Sequence, residues 1–349
     1  MKYVVRVEDR RDDRAEAVDA EVTPLPYYVG LGAFVRNLPS LLRLLWKAVR
    51  EADVVVTRLP GLIGLLTVVV TTVARRPLAL EVVGDISEAL GRRTLLQRMI
   101  SRTAARLTAK AVKRARGVRY VTQQTLQASY PCAPAARSVA FSSVQLGPWL
   151  SAPRAMPAEA PTIVAVGSQE QLYKGHDLLI EALPAVRDEI PGTQLVLIGG
   201  GRSQGYLRDL ARQGGMEDHV TFAGHVKDTA EVIRHVDRGW VYAMPSRTEG
   251  LPRALVEAMS REKPCVASRV GGITELLDDL QLVDVDDLAQ LARSLTQILG
   301  DANLRARLGR ENKDRISPYL PGALARASQD WTGIVLSLGD PRRTQVDNL

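Results

Sequence analysis

Short runs of apolar, largely β-branched residues, each leading into an amphipathic stretch, constrain this chain more than any other feature. In its second half the runs are TIVAVG (162–167), QLVLIGG (194–200), VTFAG (220–224), WVYAMP (240–245) and PCVAS (264–268). Helical stretches begin after them near Gly175, Gln204, Asp228 and Pro252. In the first half VVVT (54–57), LALEVV (78–83), VRYVT (118–122) and SVAF (138–141) have the same character. Helical stretches separate these too, for example Ala33 to Glu51, which Pro39 is expected to interrupt. Such alternation is the mark of stacked βαβ units around parallel sheets. Between the halves, GPWLSAPRAMPAEAP (Gly147 to Pro161) has four prolines and no apolar period, so it reads as a linker. A length of 349 residues suits two domains. The expected architecture is therefore α/β, with two Rossmann-like domains whose parallel sheets face a central cleft. The first domain is placed at 1–146, the linker at 147–161 and the second domain at 162–316. A helix packing back on the first domain, then a frayed tail, is expected over 317–349.

Two cysteines, Cys132 and Cys265, lie far apart without metal-type spacing, which argues against a disulfide framework and for a reducing, cytosolic setting. The opening MKYVVRVEDRRDDR lacks the apolar stretch of a signal peptide. The longest apolar run, Leu59 to Ala74, includes three threonines and is shorter than the roughly 20 residues a spanning helix needs. It reads as a buried helix.

The net charge of +7 is unevenly divided. Residues 1–150 carry 23 Lys/Arg against 12 Asp/Glu, a balance of +11; residues 151–349 carry 23 against 27, a balance of −4. Arg92 to Arg119 holds ten basic residues and no acidic one. Within it Arg98, Arg102, Arg106, Lys110 and Arg114 recur every four residues, forming one stripe on a helix. Two readings stand: a solvated helix face, or contact with an anionic membrane surface or a lipid-phosphate acceptor at the cytoplasmic face of a membrane. Nucleic acid is disfavoured, because no aromatic residues are interleaved to stack bases.

Chemistry-bearing residues gather where strands end. Gly167 and Ser168 close the first strand of the second half, and Lys174-Gly175 opens the next helix, where ammonium charge and free N–H groups suit a diphosphate. The glycines from Gly199 leave room for a ligand to approach the backbone. In SRTEGLPRALVEAMS, Pro252 fits the first helical position, and the N–H groups of Arg253 and Ala254 are free to hold phosphate. Glu249 precedes that helix. Glu257 lies within it among Leu255, Val256, Ala258 and Met259, a costly place for a carboxylate unless donors reach it.

Taken in order, VAVGSQEQLYKGHDLLIEAL, LVLIGGG, VTFAGHV, AMPSRTEGLPRALVEAMSREKPCVAS and VGGITELL resemble the GT-B glycosyltransferases of family 4, over residues 162–276. The resemblance implies a retaining, nucleotide-sugar-dependent enzyme. By it, Lys174 binds the donor diphosphate, Glu257 holds the ribose hydroxyls, Glu249 contacts and orients the transferred sugar, and Gly224-His225-Val226 frames the base. The family often has an arginine where Ser168 stands; Arg247 or Arg253 are the candidates to replace it. The first domain matches loosely: the usual Gly-Gly loop is not evident after MKYVVRV, and Gly30 and Gly32 in YVGLG are either its remnant or an unrelated turn. At the family's histidine position lies EVVGDIS, which makes Asp85 a candidate acceptor or sugar contact, or else a helix N-cap.

No metal or other cofactor is expected. DVDD (284–287) precedes a helical stretch and reads as an N-cap, and His176, His219, His225 and His235 lack ligand spacing. With no carboxylate placed as a nucleophile, same-face displacement is favoured, leaving Glu249, Lys174 and Asp85 as the catalytic candidates. The acceptor is expected to be a glycan, a lipid-linked glycan or a small molecule. A catalytically idle GT-B protein serving as a partner or membrane-binding subunit is the alternative. A nicotinamide dehydrogenase is excluded, since no G-x-G-x-x-G follows an early strand.

Overall fold

The computed structural model describes residues 2–6, 21–28, 30–85 and 95–340. Two parallel-sheet α/β units make up the protein. In the first, β3 (Val55–Leu59), β4 (Leu78–Val82), β5 (Gly117–Tyr120) and β6 (Arg137–Ala140) form a parallel sheet in that order. A separate parallel pair, β1 (Lys2–Arg6) and β2 (Glu21–Leu25), precedes it. Helices α1 (Gly30–Glu51), α2 (Leu62–Val73) and α3 (Leu95–Arg114) lie side by side, α1 on α2 and α2 on α3; a short α4 (Thr125–Ser129) follows β5.

Pro39 does not interrupt α1. Leu41, Leu45 and Val49, spaced at i, i+4 and i+8, are buried and hold the helix along its length onto β3 and α2. The apolar run from Leu59 is α2, but it is not wholly buried. Val68, Val70 and Thr71 face inward, while Leu62, Val69 and Val73 are exposed. Among the described residues no helix is long and apolar enough to cross a membrane.

The second sheet contains β7 (Thr162–Val166), β8 (Gln194–Ile198), β9 (Val220–Gly224), β10 (Val241–Met244), β11 (Cys265–Ser268) and β12 (Leu282–Val283). All neighbours are parallel, in the order β9-β8-β7-β10-β11-β12. The chain winds outward from β7 in one direction and then from β10 in the other. That is the doubly wound topology, whose crevice opens where the direction reverses, between β7 and β10. Helices α5 (His176–Glu189), α6 (Gln204–Gln213), α7 (Thr229–Arg238), α8 (Arg253–Ser260), α9 (Leu288–Gly300) and α10 (Ala302–Arg315) cover the sheet. Its core is aliphatic, with Ile163, Leu183, Leu197, Val241, Val266 and Leu295 at one face.

The linker is not a loose tether. Pro148–Ser151 form a single turn, and the Arg261 guanidinium donates to the carbonyls of Trp149 and Ala152. Arg261 itself is paired with Asp237, both only 3% exposed, and Asp237 also accepts from the Ala155 amide. Downstream, α11 (Pro321–Gly339) crosses back to the first domain, where Trp331 and Ile334 pack on Ala79 and Phe141. Gly117 sits beneath it; a methyl there would come within 2.9 Å of Ile334. The tail expected to fray, from residue 341, lies outside the described residues.

Candidate active site

The crevice at the winding reversal gathers the loops after β7 and β10. After Gly167 the chain makes one turn, Leu172–Lys174, and enters α5 through Gly175 in the left-handed conformation at φ 73°. Glycine is required there, because a methyl would lie 2.1 Å from the carbonyl oxygen of Pro245 at the exit of β10. The close approach brings Lys174 against the other loop. Its Nζ lies 2.6 Å from Glu249 Oε1, and Ser246 Oγ donates to the same oxygen at 2.8 Å. Both charged side chains are largely sheltered, at 17% and 9% exposed.

Arg247, one of the two candidates to replace an arginine at Ser168, is bonded to neighbouring carboxylates. Its guanidinium makes two bonds to the Asp177 carboxylate at 2.8 and 3.0 Å, and further bonds to Asp286 and the Leu172 carbonyl. It is a brace between the two loops, with four bonds already made. Asp177 and Asp286, 70 and 39 residues away, decide this. Ser168 is exposed, and its hydroxyl accepts from the Glu170 amide. Arg253 is exposed at the start of α8, where no side chain caps the free N–H groups of Arg253 and Ala254. Beneath that turn Glu257 is half-buried, and burial raises its carboxyl above the ordinary value against the opposing pull of Arg253. Among the described residues no hydrogen bond reaches that carboxyl. Tyr242 is fully buried below; burial first, then Cys265 and both glutamates, push its phenol well above 10.

Glycines line the far rim. The Gly167 amide donates to Ile198 and the Gly199 amide to Gly224, so the ends of β7, β8 and β9 are stitched together. A methyl on Gly199, at φ 133°, would lie 1.9 Å from the Gly167 carbonyl oxygen. His225 and Val226 follow directly, His225 beside Gly200 and Val226 against the apolar core under α8.

From the first domain, the end of β4 reaches the same place. A methyl on Gly250 would fall 2.1 Å from the Val83 carbonyl oxygen and 3.6 Å from the Gly84 Cα. Asp85 and Glu249, each next to one of these glycines, therefore stand on opposite lips of the cleft. Asp85 accepts from the Tyr130 hydroxyl at 2.6 Å.

One residue escaped the sequence reading. His176 is buried against Gly167 and Lys174, and burial, with the Lys174 charge adding to it and Asp177 opposing, pulls it down to about 4. It is therefore a neutral ring under the ammonium group. The signal was its place in KGHD, one residue past the turn, rather than any metal spacing. Among the described residues no group of three or more His, Cys, Asp or Glu side chains is arranged to hold a metal ion. In DVDD, Asp287 caps α9 by accepting from Gln290, and Asp286 pairs with Arg247.

The basic stripe is far from this crevice in kind. Arg102, Arg106, Lys110 and Arg114 are exposed along α3; Arg98 is in the same helix, and its side chain lies outside the described residues.

Two parallel-sheet Rossmann-like domains whose strand-end loops meet define a GT-B fold. The solved sucrose-phosphate synthase of Thermosynechococcus elongatus superposes with a TM-score of 0.71 over 100% of this chain and 89% of that one, at 20% identity. Residues 151–315, nearly all of the second domain, match the family glycosyl transferases group 1. Protein CapJ of Staphylococcus aureus is 27% identical over 276 residues, 78% of this chain and 69% of that protein. A GDP-mannose-dependent alpha-(1-6)-phosphatidylinositol monomannoside mannosyltransferase of Mycobacterium tuberculosis is 33% identical over 169 residues, 46% of this chain. The match spans less than half, 43%, of that relative.

Proposed function

We propose that this chain is a retaining glycosyltransferase that moves a hexose-type sugar from a nucleoside-diphosphate sugar to an acceptor hydroxyl, without a metal ion, in the biosynthesis of a polysaccharide, glycolipid or other glycoconjugate. The observation that carries this reading is the Lys174–Glu249 contact at 2.6 Å, set in the crevice between two uncapped helix starts. A diphosphate laid there meets the ammonium of Lys174 and the free amides of α8, with the glycine rim of 167 and 199 leaving its path clear. Glu257, a half-buried carboxyl raised by burial, gains donors from a ribose diol, which relieves the cost of its position. His225 and Val226 frame the base. Glu249, released from Lys174 by the incoming phosphate, orients the sugar. Charge developing on the leaving diphosphate is stabilised by groups already in place, the largest kind of catalytic contribution. The acceptor attacks from the same face, and the departing phosphate takes its proton. Asp85, across the cleft, receives the acceptor hydroxyl.

The acceptor side favours a lipid surface. Large apolar residues are exposed on three adjacent helices: Leu42 and Trp46 on α1, Val69 and Val73 on α2, Met99 and Leu107 on α3. Arg43, Lys47 and Arg50 run beside the first set and Arg102, Arg106 and Lys110 beside the last, with Glu51 the one acidic residue in these helices. Apolar and cationic groups side by side fit anionic lipid. The mannosyltransferase relative, by its name, acts on a phosphatidylinositol mannoside.

An idle GT-B subunit is the second reading. Ser168 in place of an arginine, and an Arg247 already bonded to Asp177 and Asp286, leave Arg253 as the remaining candidate for a second cation beside Lys174, which favours it. Thermal stability measured with UDP, GDP, TDP and ADP separates the two. One nucleotide at 100 times its Kd stabilises the wild type by about 2.7 kcal/mol. The Glu257→Ala variant loses that shift. No shift with any nucleotide rejects the enzyme reading in favour of the idle subunit.

A further inference from the structure

After β11 the chain makes a single turn, Gly271–Glu275, that lies flat on the loop bearing Glu249. A methyl on Gly271, at φ 46°, would come within 1.9 Å of the Glu249 carbonyl oxygen. The Gly272 amide donates to the Gly250 carbonyl at 2.6 Å, and a methyl on Gly272 would meet that oxygen at 2.5 Å and Thr122 of the first domain at 3.0 Å. Nothing fits between this turn and the loop above it, so the position of one sets the position of the other.

The last residue of the turn reaches across the cleft. The Glu275 carboxylate accepts from the amides of Gln123 at 2.7 Å, Gln124 at 2.9 Å and Thr125 at 3.2 Å, and from the Thr125 hydroxyl at 3.1 Å. These are the otherwise unmet donors at the start of α4, in the first domain. Tyr319, where the chain turns to cross back, donates its hydroxyl to the same carboxylate at 3.2 Å. Burial, then the negative charge of Glu275, raises the Tyr319 phenol, which keeps it a donor. One side chain thus joins the first domain, the backing of the Glu249 loop and the return crossing. Opening the cleft strips the carboxylate of four donors at once, and closing restores them.

We propose that Glu275 is a positioning residue: it latches the first domain onto the second and, through Gly271-Gly272, fixes the loop that holds Glu249 against Lys174. The proposal rests on reading that pair as the donor grip. It predicts that the latch governs turnover far more than nucleotide affinity, since every proposed nucleotide contact lies within the second domain.

The test compares Glu275→Gln, Thr125→Val and the double variant with the wild type. Small-angle scattering reads domain separation; calorimetry with UDP and GDP reads affinity; nucleotide released from UDP-glucose and GDP-mannose reads turnover. Glu275→Gln is expected to widen the separation and lower kcat about 100-fold, the effect of a misplaced catalytic group, with nucleotide Kd within about threefold. Thr125→Val, which alters one hydroxyl at the surface of the cleft, shifts both readouts the same way by less. The double variant is no worse than Glu275→Gln, because both changes remove one interaction. Unchanged scattering and turnover in Glu275→Gln, additive losses in the double variant, or a Kd that rises in step with the fall in kcat each overturn the proposal. If the wild type binds no nucleotide, the donor reading fails, and the scattering comparison alone decides the latch.

Discussion

The crevice edge of the second domain and the helical face of the first differ in how they treat charge. In the second domain polar groups are sheltered and committed, at the crevice Arg247 to Asp177 and Lys174 to Glu249, and at the opposite end of the sheet Arg261 to Asp237. Along α1, α2 and α3, cations stand in solvent beside bare apolar side chains such as Val73 and Met99, 64% and 66% exposed. The first pattern belongs to a site whose geometry is set before its ligand arrives. By the reading proposed above, the second belongs to a surface for an extended, negatively charged partner, so that one domain grips a small molecule and the other offers a face.

The sharpest way to break the comparison is to remove one partner of a committed pair. Arg261→Met leaves Asp237 buried without its paired guanidinium, with the Ala155 amide on its carboxylate and Lys263 nearby, and frees the linker carbonyls of Trp149 and Ala152. It is expected to cost about 3–5 kcal/mol of stability in urea denaturation. A loss below 1 kcal/mol would mean that the linker is anchored by something else.

A titration comes next. His176 has a folded pKa near 4, below its ordinary 6.5, so the unfolded chain binds the extra proton. The stability this ring preserves is intact above pH 6.5 and is lost as pH falls toward 4. The loss approaches about 3 kcal/mol at pH 4, set by the pKa difference. His176→Asn should flatten the pH dependence of Tm across that window, and an unchanged profile would show that the ring is solvated. The smallest effects belong to the exposed face. Replacing Arg102, Arg106 or Lys110 by Ala is expected to weaken sedimentation with phosphatidylserine vesicles by about 1 kcal/mol each. The nucleotide response should be untouched. Equal loss of both would erase the distinction between the domains.

The second domain was legible because its strands are short, apolar and closed by glycine, and the glycines stand where backbones nearly touch. β9 agrees to the residue, and α6 begins at Gln204 as expected. The first domain was harder to read. Pro39 suggested a break that tertiary burial of Leu41 and Leu45 overrides. β2, with Pro24 inside it and one buried residue, had no apolar alternation to announce it. In the site, Lys174 and Glu249 could be named from their motifs, but not that they touch. The brace on Arg247 and the reach of Glu275 join residues 39 to 152 positions apart, and no local pattern encodes such distances.

The return crossing of α11 bears on how the chain is made. On a ribosome, the strands of the first sheet emerge well before the helix that covers Ala79, Gly117 and Phe141. The first domain to be synthesised is therefore the last to be finished, and until residue 334 or so has appeared its sheet has a bare apolar side. Cutting the chain at the linker would not release two independent halves. It would leave the first half permanently in the state of a nascent chain, open to solvent where Trp331 and Ile334 belong.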